Sequence, residues 1–241
     1  MKMNVAIIIP TFFEEENIYK LIKTINKLKF KKKIFVIDDT FKPLKKLNEL
    51  KRQRVTYVHR KQKSGRGSAV ISGFKIALKQ NFNVFVEMDA DFSHNPKELK
   101  RNLKIFKKKK IDLLISSRYL KKSKIINWPI SRKILSRFSN ILANILLKVP
   151  VHDYTNVYRS YSKRSIKTII KNCGKIGDCF IILSEILLRI YLKKYKIFET
   201  ETVFINRKRG KSSVGIKLIF SSFMGLFKLY FIRLKFYKKN N

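Results

Sequence analysis

The chain has 241 residues, 45% of them hydrophobic, so it can bury a substantial core and is not a disordered basic tail. Its 56 lysine and arginine residues outnumber 16 aspartate and glutamate residues, and the net charge of +40 points to a polyanionic partner, either nucleic acid or an anionic membrane surface. An AT-rich genome enriches lysine in the same way, so the charge alone does not identify the partner.

In chain order, short apolar runs alternate with amphipathic stretches through the first half of the sequence. The predicted strands are residues 5–9, 34–37, 55–58, 84–88 and 113–116, and the predicted helices between them are residues 16–28 and 69–78. Strands that alternate with helices at this rhythm indicate βαβ units and a parallel sheet. Because the strands are apolar throughout, helices should cover both faces of the sheet. The predicted fold class is therefore α/β.

Helical spacing dominates the second half. Residues 130–148 and 177–192 are predicted amphipathic helices, and residues 203–206 are a predicted late strand. Residues 216–237 are rich in Phe, Leu, Ile and Tyr but also carry four Lys and Arg residues. A membrane-spanning helix needs about 20 mostly apolar residues, so we expect an interfacial helix with its basic residues at the lipid headgroups. The alternative is a core-facing helix with a solvated basic side.

These patterns predict one domain over residues 1–215 and a basic amphipathic segment over residues 216–241. The N-terminal apolar run is too short for a signal peptide. Cys173 and Cys179 have neither CxxC nor metal-binding spacing, which favours a reducing compartment. We therefore expect a cytoplasmic protein that associates peripherally with the cytosolic face of a membrane.

The acidic residues are concentrated where predicted strands end. Eight of the 16 form three clusters, at residues 14–16, at residues 38–39, and at Glu87, Asp89 and Asp91. In open α/β sheets, ligands bind at this carboxyl edge. Asp89 and Asp91 lie one residue apart and can face one divalent cation, and carboxylate oxygens select Mg²⁺ or Mn²⁺. The alternative interpretation, acidic residues in the first turns of helices, suits residues 14–16 better than the other two clusters.

Seven motifs occur in the order typical of one enzyme family. They are IIIPTFFEEENI, VIDD, SGRGSAVISGF, EMDADFSHNPKEL, SSRY, NWPISRKILS and DYTNVYRSY. This set resembles the family 2 glycosyltransferases, and most closely the polyprenyl- or dolichyl-phosphate mannose synthases, over roughly residues 4–215. The resemblance implies a GT-A fold, which is a Rossmann-like nucleotide-sugar-binding domain with a mainly parallel sheet and helices on both faces.

The resemblance also implies roles for individual residues. The metal ligands would be Asp89, Asp91 and Ser93. The donor-binding residues would be Pro10, Phe12, Glu14, Ile37, Asp39, Asp89, Ala90, Arg118 and Arg207. The acceptor phosphate would be held by Arg132, Arg159 and Lys211. Asp91 and Arg118 would be the catalytic residues among these.

The resemblance implies transfer of a hexose to the phosphate of a polyprenyl or dolichyl phosphate, and mannose from GDP-mannose is the leading expectation for the donor. A nucleotide-diphosphate leaving group requires cationic stabilisation, which Mg²⁺ or Mn²⁺ and the arginines would supply. The acceptor phosphate is already anionic at pH 7, so no general base is required, and direct displacement would invert the anomeric centre. Of the three histidines, His94 is nearest the site, whereas His59 and His152 are expected to be structural or on the surface.

The sequence departs from the family pattern in two loops. Residues 40–43 read Thr-Phe-Lys-Pro beside the nucleotide site, and Ser213 stands where a lysine is usual. The identity of the base therefore stays open, as do a UDP-sugar donor, a saccharide acceptor and a noncatalytic relative. Glu185 fits the family pattern, and its alternative interpretation is an acidic residue on a helix surface.

Basic residues are densest in the middle and at the end of the chain. Residues 99–152 contain fifteen Lys and Arg and one acidic residue, and residues 202–241 contain ten and none. Each basic residue near an anionic leaflet contributes about 1 kcal/mol, so we predict an anionic membrane surface as a partner. A nucleic-acid-binding module is the rival of another class. The sequence has no RNA-binding motif and no interleaved aromatic and glycine residues, so no nucleic-acid partner is predicted.

Overall fold

The computed structural model describes residues 3–60, 65–177, 180–206 and 216–240. Strands and helices alternate along most of this length. In chain order they are β1 (Val5–Thr11), α1 (Glu15–Asn26), β2 (Lys32–Asp38), α2 (Leu47–Arg52), β3 (Thr56–His59), α3 (Arg66–Leu78), β4 (Val84–Glu87), α4 (Glu98–Lys108), β5 (Leu113–Ser117), β6 (Lys124–Ile126), α5 (Ile130–Leu147), β7 (Arg159–Ser162), α6 (Lys163–Asn172), α7 (Phe180–Leu192), β8 (Ile197–Glu201), β9 (Val203–Ile205) and α8 (Ile216–Asn240).

Seven strands form one sheet in the order β3-β2-β1-β4-β7-β5-β8. Neighbouring strands are parallel except at β7, which runs antiparallel to both β4 and β5. A second, two-stranded sheet pairs β6 with β9, and an isolated bridge between His94 and Phe204 links β9 to the segment after β4. The predicted α/β fold with a mainly parallel sheet is confirmed.

β1 shows why the buried strands are apolar throughout. Successive side chains point to opposite faces of a strand. Ala6 and Ile8 therefore join the core that includes α3, α6 and α7, whereas Ile7 and Ile9 join the core that includes α1 and α4. All four side chains are fully buried. Burial on both faces, worth roughly 25 cal/mol per Å² of apolar area, holds helices against both sides of the sheet.

Gly73 brings α3 close to the sheet. A Cβ atom at this position would lie 2.6 Å from Ile8 Cγ2 and 3.1 Å from Ile37 Cγ1, so any other residue would push the helix away. The first residue of α3, Arg66, thereby reaches Glu87 at the carboxyl end of β4. The close packing places the start of α3 at the edge where ligands bind in this class of fold.

Several helices and strands of the structure are not predicted from the sequence patterns. They are α2, α4, β6, β7, α6 and β8. β7 is the most instructive, because it lies in the middle of the sheet yet reads Arg-Ser-Tyr-Ser. Its polar side chains are satisfied by distant parts of the chain, which no local hydrophobic pattern reveals.

One side of α8 packs on the domain and the other side is exposed. Leu226 and Leu229 are buried in the core, and a Cβ atom at Gly225 would overlap Ile181 of α7, so the two helices approach closely. The exposed apolar residues of α8 include Phe220, Met224, Phe227 and Phe231. Within the described part of the chain, α8 included, no helix has both the length and the apolar character needed to cross a membrane.

Asp112 joins β5 to α6 and β8 and gives a first testable prediction. Its carboxylate accepts hydrogen bonds from the Arg164 guanidinium, from Ser162 Oγ at 2.8 Å and from the Lys196 N–H at 3.0 Å. Burial alone would raise the pKa of Asp112, but these hydrogen bonds, led by that from Arg164, outweigh burial and lower it. We expect Asp112→Asn to lower the free energy of unfolding by about 1–3 kcal/mol at pH 7.

The pH dependence of this effect has a definite sign. A carboxyl group with a lowered pKa in the folded state stabilises the fold above its unfolded value and loses that contribution as the pH falls. The difference between wild type and Asp112→Asn should therefore narrow below pH ~4. Urea unfolding at neutral and acidic pH measures the difference in the free energy of unfolding between the two proteins. A difference that does not change with pH contradicts the stabilising role of the Asp112 carboxylate.

Candidate active site

The carboxyl ends of β1, β2 and β4 meet at one edge of the sheet, because these strands are adjacent and parallel. Asp39 follows β2 and Asp89 follows β4. Arg60, after β3, and Arg66, at the start of α3, pair with these two carboxylates. The sequence indicated the acidic residues at this edge but not the two arginines that neutralise them.

Asp39 is held by a bidentate ion pair, whereas its neighbour Asp38 is structural. Arg60 Nε and Nη2 each donate to the Asp39 carboxylate at 2.5 Å. The Asp38 carboxylate instead accepts hydrogen bonds from the Tyr57 hydroxyl at 2.6 Å and from the N–H and hydroxyl of Thr40. Burial, and then the hydrogen bond to Asp38, raise the pKa of Tyr57 well above its usual value. Asp39 is therefore the member of the pair that is bound to Arg60, the residue after β3.

The other residues expected on the nucleotide side form two groups. Pro10 and Ile37 are buried within β1 and β2, so their side chains belong to the core. Phe12 is half-buried at the edge, and Glu14 precedes α1, where its carboxylate accepts a hydrogen bond from Asn17 at 2.6 Å. Of these four predicted residues, the structure brings the side chains of Phe12 and Glu14 to the edge.

Phe12, Phe13 and Phe41 form an aromatic cluster at the ends of β1 and β2. The ring centroid of Phe12 lies 4.4 Å from that of Phe13 and 6.1 Å from that of Phe41. Phe13 and Phe41 are 63% and 72% exposed. Phe13 has a positive φ of 56°, a left-handed conformation that costs on the order of 1 kcal/mol for a residue other than glycine. Exposed rings at this edge offer a surface on which a nucleobase can stack.

Asp89 and Asp91 flank the buried Ala90 just beyond β4. Asp89 Oδ1 accepts a hydrogen bond from Arg66 Nε at 3.0 Å, and Asp91 Oδ1 accepts one from the N–H of the buried Ser93 at 2.9 Å. Among the described residues, no three His, Cys, Asp or Glu side chains group closely enough to hold a metal ion alone. Mg²⁺ is commonly bound by one or two carboxylates together with substrate phosphates. The pair therefore fits a cation whose coordination a phosphate completes.

His94 anchors the loop that carries the two aspartates. It is fully buried, its Nδ1 accepts the N–H of Asp89 at 3.3 Å, and its Nε2 lies 3.1 Å from Asn156 Oδ1. His59 hydrogen-bonds to a backbone carbonyl in the loop after β2, and His152 is exposed. These placements agree with the expectation that His94 is the histidine nearest the site.

Arg118 and Asp153 form a buried ion pair beyond the end of β5. Arg118 Nε and Nη2 donate to the Asp153 carboxylate at 2.8 and 2.7 Å, and Nη2 also donates to Thr155 Oγ1 at 2.6 Å. Burial acts to lower the pKa of Arg118, but the charge of Asp153 outweighs it and raises this pKa. Burial acts to raise the pKa of Asp153, but the positive charge of Arg118 outweighs burial and lowers the pKa of Asp153. Both groups are therefore charged at neutral pH.

A cavity of about 340 Å³ opens beside Arg118, between α5, α7 and α8. At one end, the guanidinium carbons of Arg118 and Arg132 lie 5.3 and 4.3 Å from the centroid of the Trp128 ring. The apolar part of the wall includes Leu135, Ile181, Phe223 and Leu226. A cationic end that continues into an apolar wall suits an anion attached to a hydrocarbon chain.

Arg159, expected at the acceptor phosphate, lies inside the fold. Its side chain is fully buried, and Nε, Nη1 and Nη2 donate to the backbone carbonyls of Asn156, Leu183 and Tyr154. Every guanidinium nitrogen is thus used inside the fold. The structure thus shows Arg159 holding β7 to its neighbours, and its expected contact with the acceptor phosphate stays a prediction.

The burial of Glu185 excludes the alternative interpretation of this residue. Glu185 is 1% exposed and accepts a hydrogen bond from the Gly174 N–H at 2.9 Å, and burial raises the pKa of its carboxyl group. It is therefore not an acidic residue on a helix surface. Arg207 and Lys211, expected at the donor and acceptor phosphates, lie outside the described residues, as do Ser213 and Cys179.

The sequence matches the profile described as glycosyl transferase family 2 over residues 6–170. It is 33% identical over 215 residues to a polyprenol monophosphomannose synthase of Mycolicibacterium smegmatis, covering 87% of this chain and 80% of that protein. It is 30% identical over 218 residues to an undecaprenyl-phosphate mannosyltransferase of Micrococcus luteus, covering 88% of each. It is 34% identical over 235 residues to a dolichol-phosphate mannosyltransferase of Pyrococcus furiosus, covering 94% of this chain and 64% of that protein.

Solved structures share the fold. One is glucosyl-3-phosphoglycerate synthase from Mycobacterium tuberculosis in complex with Mn²⁺, UDP and glucosyl-3-phosphoglycerate, with a TM-score of 0.68 and 12% identity, covering 96% of this chain and 80% of that one. A complex of the same enzyme with Mn²⁺, UDP and phosphoglyceric acid gives a TM-score of 0.69 at 12% identity, covering 95% and 78%. At this identity the likeness establishes the fold alone, and it agrees with the GT-A prediction.

Proposed function

Because this chain belongs to glycosyl transferase family 2 and is a glycosyltransferase, we propose that it transfers mannose from GDP-mannose to the phosphate of a polyprenyl or dolichyl phosphate. The observation that carries the proposal is the cavity beside Arg118, which joins a two-arginine end to an apolar wall. The names of three relatives, which describe mannose transfer to polyprenol, undecaprenyl phosphate and dolichol phosphate, support an acceptor of this class.

The acceptor phosphate fits the arginine end of the cavity. Arg118 is oriented by Asp153, and Arg132 lies against Trp128 and donates to Asn206 Oδ1 at 2.9 Å. Two oriented guanidinium groups can form charge-assisted hydrogen bonds with one phosphate. The isoprenoid chain would then follow the apolar wall toward the opening between α5 and α8.

The donor fits the acidic edge of the sheet. The aromatic cluster would stack on the nucleobase, and Asp39 would contact the ribose. Asp89 and Asp91 would hold Mg²⁺ or Mn²⁺, which, when bound, stabilises the negative charge of the departing nucleoside diphosphate. The departure from the family pattern at residues 40–43 places Phe41 within this cluster, so base selectivity would depend on stacking.

The residues of the site position the reactants and do not transfer protons. The acceptor phosphate is ionised at pH 7 and serves as the nucleophile, so no general base is needed. His94, the nearest histidine, is occupied as a loop anchor. Attack of a phosphate oxygen on the sugar C1 forms the new bond as the bond to the nucleoside diphosphate breaks, which inverts the anomeric configuration. Arg118 and Arg132 contribute by holding the nucleophile in place.

α5 and α8 together present an exposed apolar surface, which we call the α5–α8 surface. It consists of Ile134, Phe138, Ile141, Ile145, Met224, Phe227 and Phe231. Phe138 of α5 and Phe223 of α8 lie with their ring centroids 6.3 Å apart, so the two helices are in contact. Apolar side chains with basic residues around them are typical of helices at a membrane surface. We therefore propose that this surface rests on the cytosolic face of an anionic membrane, where the lipid acceptor lies.

A transfer assay with a panel of donors tests the proposed function. Purified protein is incubated with Mg²⁺ or Mn²⁺, a polyprenyl phosphate, and radiolabelled GDP-mannose, UDP-glucose or another nucleotide sugar. We expect label in the lipid fraction with GDP-mannose. Label transferred from a UDP-sugar instead would identify that UDP-sugar as the donor, and label found on a saccharide would identify a saccharide as the acceptor. No label from any donor contradicts the proposal.

The membrane proposal predicts the effect of a charge placed on the α5–α8 surface. Phe138→Glu should weaken binding to vesicles of phosphatidylcholine and phosphatidylglycerol roughly tenfold, because it replaces an apolar contact with a charged group. Cosedimentation with the vesicles measures the binding. Lys108→Gln, at the exposed end of α4, is the control because it changes the net charge by the same single unit. Equal losses in both variants, or no loss in either, contradict a role for the apolar surface.

A further inference from the structure

Arg66 neutralises two carboxylates at once. Its Nη1 donates to Glu87 Oε1 at 2.7 Å, and its Nε donates to Asp89 Oδ1 at 3.0 Å. Glu87 is 1% exposed, and its other carboxylate oxygen accepts a hydrogen bond from the Tyr161 hydroxyl at 2.9 Å. Arg66 is thus the positive charge that keeps Glu87 inside the sheet, and it also holds the first aspartate of the Asp-Ala-Asp motif.

The same aspartate is one of the two carboxylates that fit a divalent cation. A guanidinium beside Asp89 reduces the negative charge that an incoming cation meets, and it adds a positive charge that repels the cation. Both effects are stronger here than in bulk water because the site is partly shielded from solvent. The diphosphate of a nucleotide sugar brings negative charge into the site and offsets both effects.

We infer that Arg66 is a built-in counter-ion that competes with the divalent cation for Asp89, so that the cation binds tightly only together with the donor diphosphate. The inference rests on the proposed function for the nature of the site and adds the order of binding to it. Arg66 Nη2 is buried and has no hydrogen-bond partner in the described structure. The guanidinium therefore retains a donor for an incoming oxygen. Arg66 acts through Asp89 and is a positioning residue.

Binding of Mn²⁺ alone tests the inference. The electron paramagnetic resonance signal of free Mn²⁺ is titrated with protein, first without nucleotide and then with GDP. We expect Arg66→Gln to bind Mn²⁺ about tenfold more tightly than wild type without nucleotide, equivalent to ~1.4 kcal/mol. GDP should tighten Mn²⁺ binding to wild type more than to the variant. Arg66→Lys keeps the charge and should stay close to wild type.

Two further variants isolate the role of Asp89. Arg66→Gln leaves Glu87 without its ion-pair partner, so Arg66→Gln with Glu87→Gln removes both members of that buried pair and should still bind Mn²⁺ more tightly than wild type. The double variant carries the same expectation if Arg66→Gln alone does not fold. Arg101→Gln is the matched control, because Arg101 is 47% exposed and pairs with Glu98 at 3.6 Å on α4.

Three results overturn the inference. They are Mn²⁺ affinity that is unchanged or weaker in Arg66→Gln, an equal gain in Arg101→Gln, and a gain that disappears in the double variant. The titration contains no sugar donor and no lipid, so a failed transfer assay leaves its result intact. If wild type transfers the sugar to the lipid phosphate and Arg66→Gln binds Mn²⁺ no more tightly than wild type, the inference is wrong and the proposed function stands.

Discussion

Asp91→Asn is expected to lower kcat/KM for transfer to the lipid phosphate on the order of 1,000-fold, which corresponds to ~4 kcal/mol of lost transition-state stabilisation. Asparagine keeps the size of the side chain and can still accept the hydrogen bond from the Ser93 N–H, seen at 2.9 Å in the structure. The substitution therefore removes the charge of a proposed metal ligand and leaves the loop intact. Initial rates over a range of Mg²⁺ and Mn²⁺ concentrations measure the loss.

The control for this prediction is Glu49→Gln, which removes one negative charge from α2, outside the Asp-Ala-Asp loop. It should leave kcat/KM within about twofold of wild type, as expected for a residue outside the site. Higher metal concentrations should not restore Asp91→Asn to the wild-type rate, because the negative charge of the carboxylate is missing from the site. Transfer by Asp91→Asn at the wild-type rate contradicts the role proposed for this carboxylate.

The sequence predicts the strands that are apolar on both faces, and it fails where burial depends on distant partners. β1 and β2 are buried on both faces, so their own residues suffice to identify them. β7 carries Arg159 inside the sheet, which is possible because three backbone carbonyl groups accept its hydrogen bonds, two from the segment just before β7 and one from Leu183 of α7. The resemblance implies an acceptor-phosphate role for the same arginine, because a motif records which residue is present and not where its side chain points.

The acidic residues of the site are predictable from the sequence because carboxylates are rare in this chain. Only 16 of 241 residues are acidic, so clusters after three strands stand out. Arg60 and Arg66 are not recognisable in this way, because they are two among 56 basic residues. Their pairing with Asp39 and Asp89 joins residues that are more than 20 positions apart in the chain, and only the folded chain shows it.

The positions of the basic residues say more about the partner than the net charge of +40 does. Arg60, Arg66 and Arg118 are paired with carboxylates inside the fold, so these charges belong to the structure and the site. The exposed surplus includes the lysines at the end of α8, next to the apolar α5–α8 surface. That arrangement supports a membrane surface as the polyanionic partner, which composition alone did not distinguish from nucleic acid.

Arg118→Lys is expected to lower kcat/KM for the lipid phosphate roughly 100-fold, and to destabilise the fold by about 2–3 kcal/mol. Lysine keeps the charge but cannot reproduce the two bonds of 2.8 and 2.7 Å to Asp153 or the bond to Thr155. A lysine ammonium drawn to Asp153 also presents no planar group to a phosphate in the cavity. Steady-state kinetics with varied polyprenyl phosphate, below the unfolding temperature of the variant, measure the loss.

Arg164→Lys separates the loss of binding from the loss of stability. Arg164 makes the same kind of bidentate pair, with Asp112, but lies outside the cavity beside Arg118. This control should lower the unfolding temperature while kcat/KM stays within about twofold of wild type. Arg132→Lys should reduce kcat/KM less than Arg118→Lys, because a lysine ammonium can still donate a hydrogen bond to Asn206 Oδ1, as Arg132 does. If Arg118→Lys retains activity, or Arg164→Lys loses as much, the two-arginine end of the cavity does not hold the acceptor phosphate.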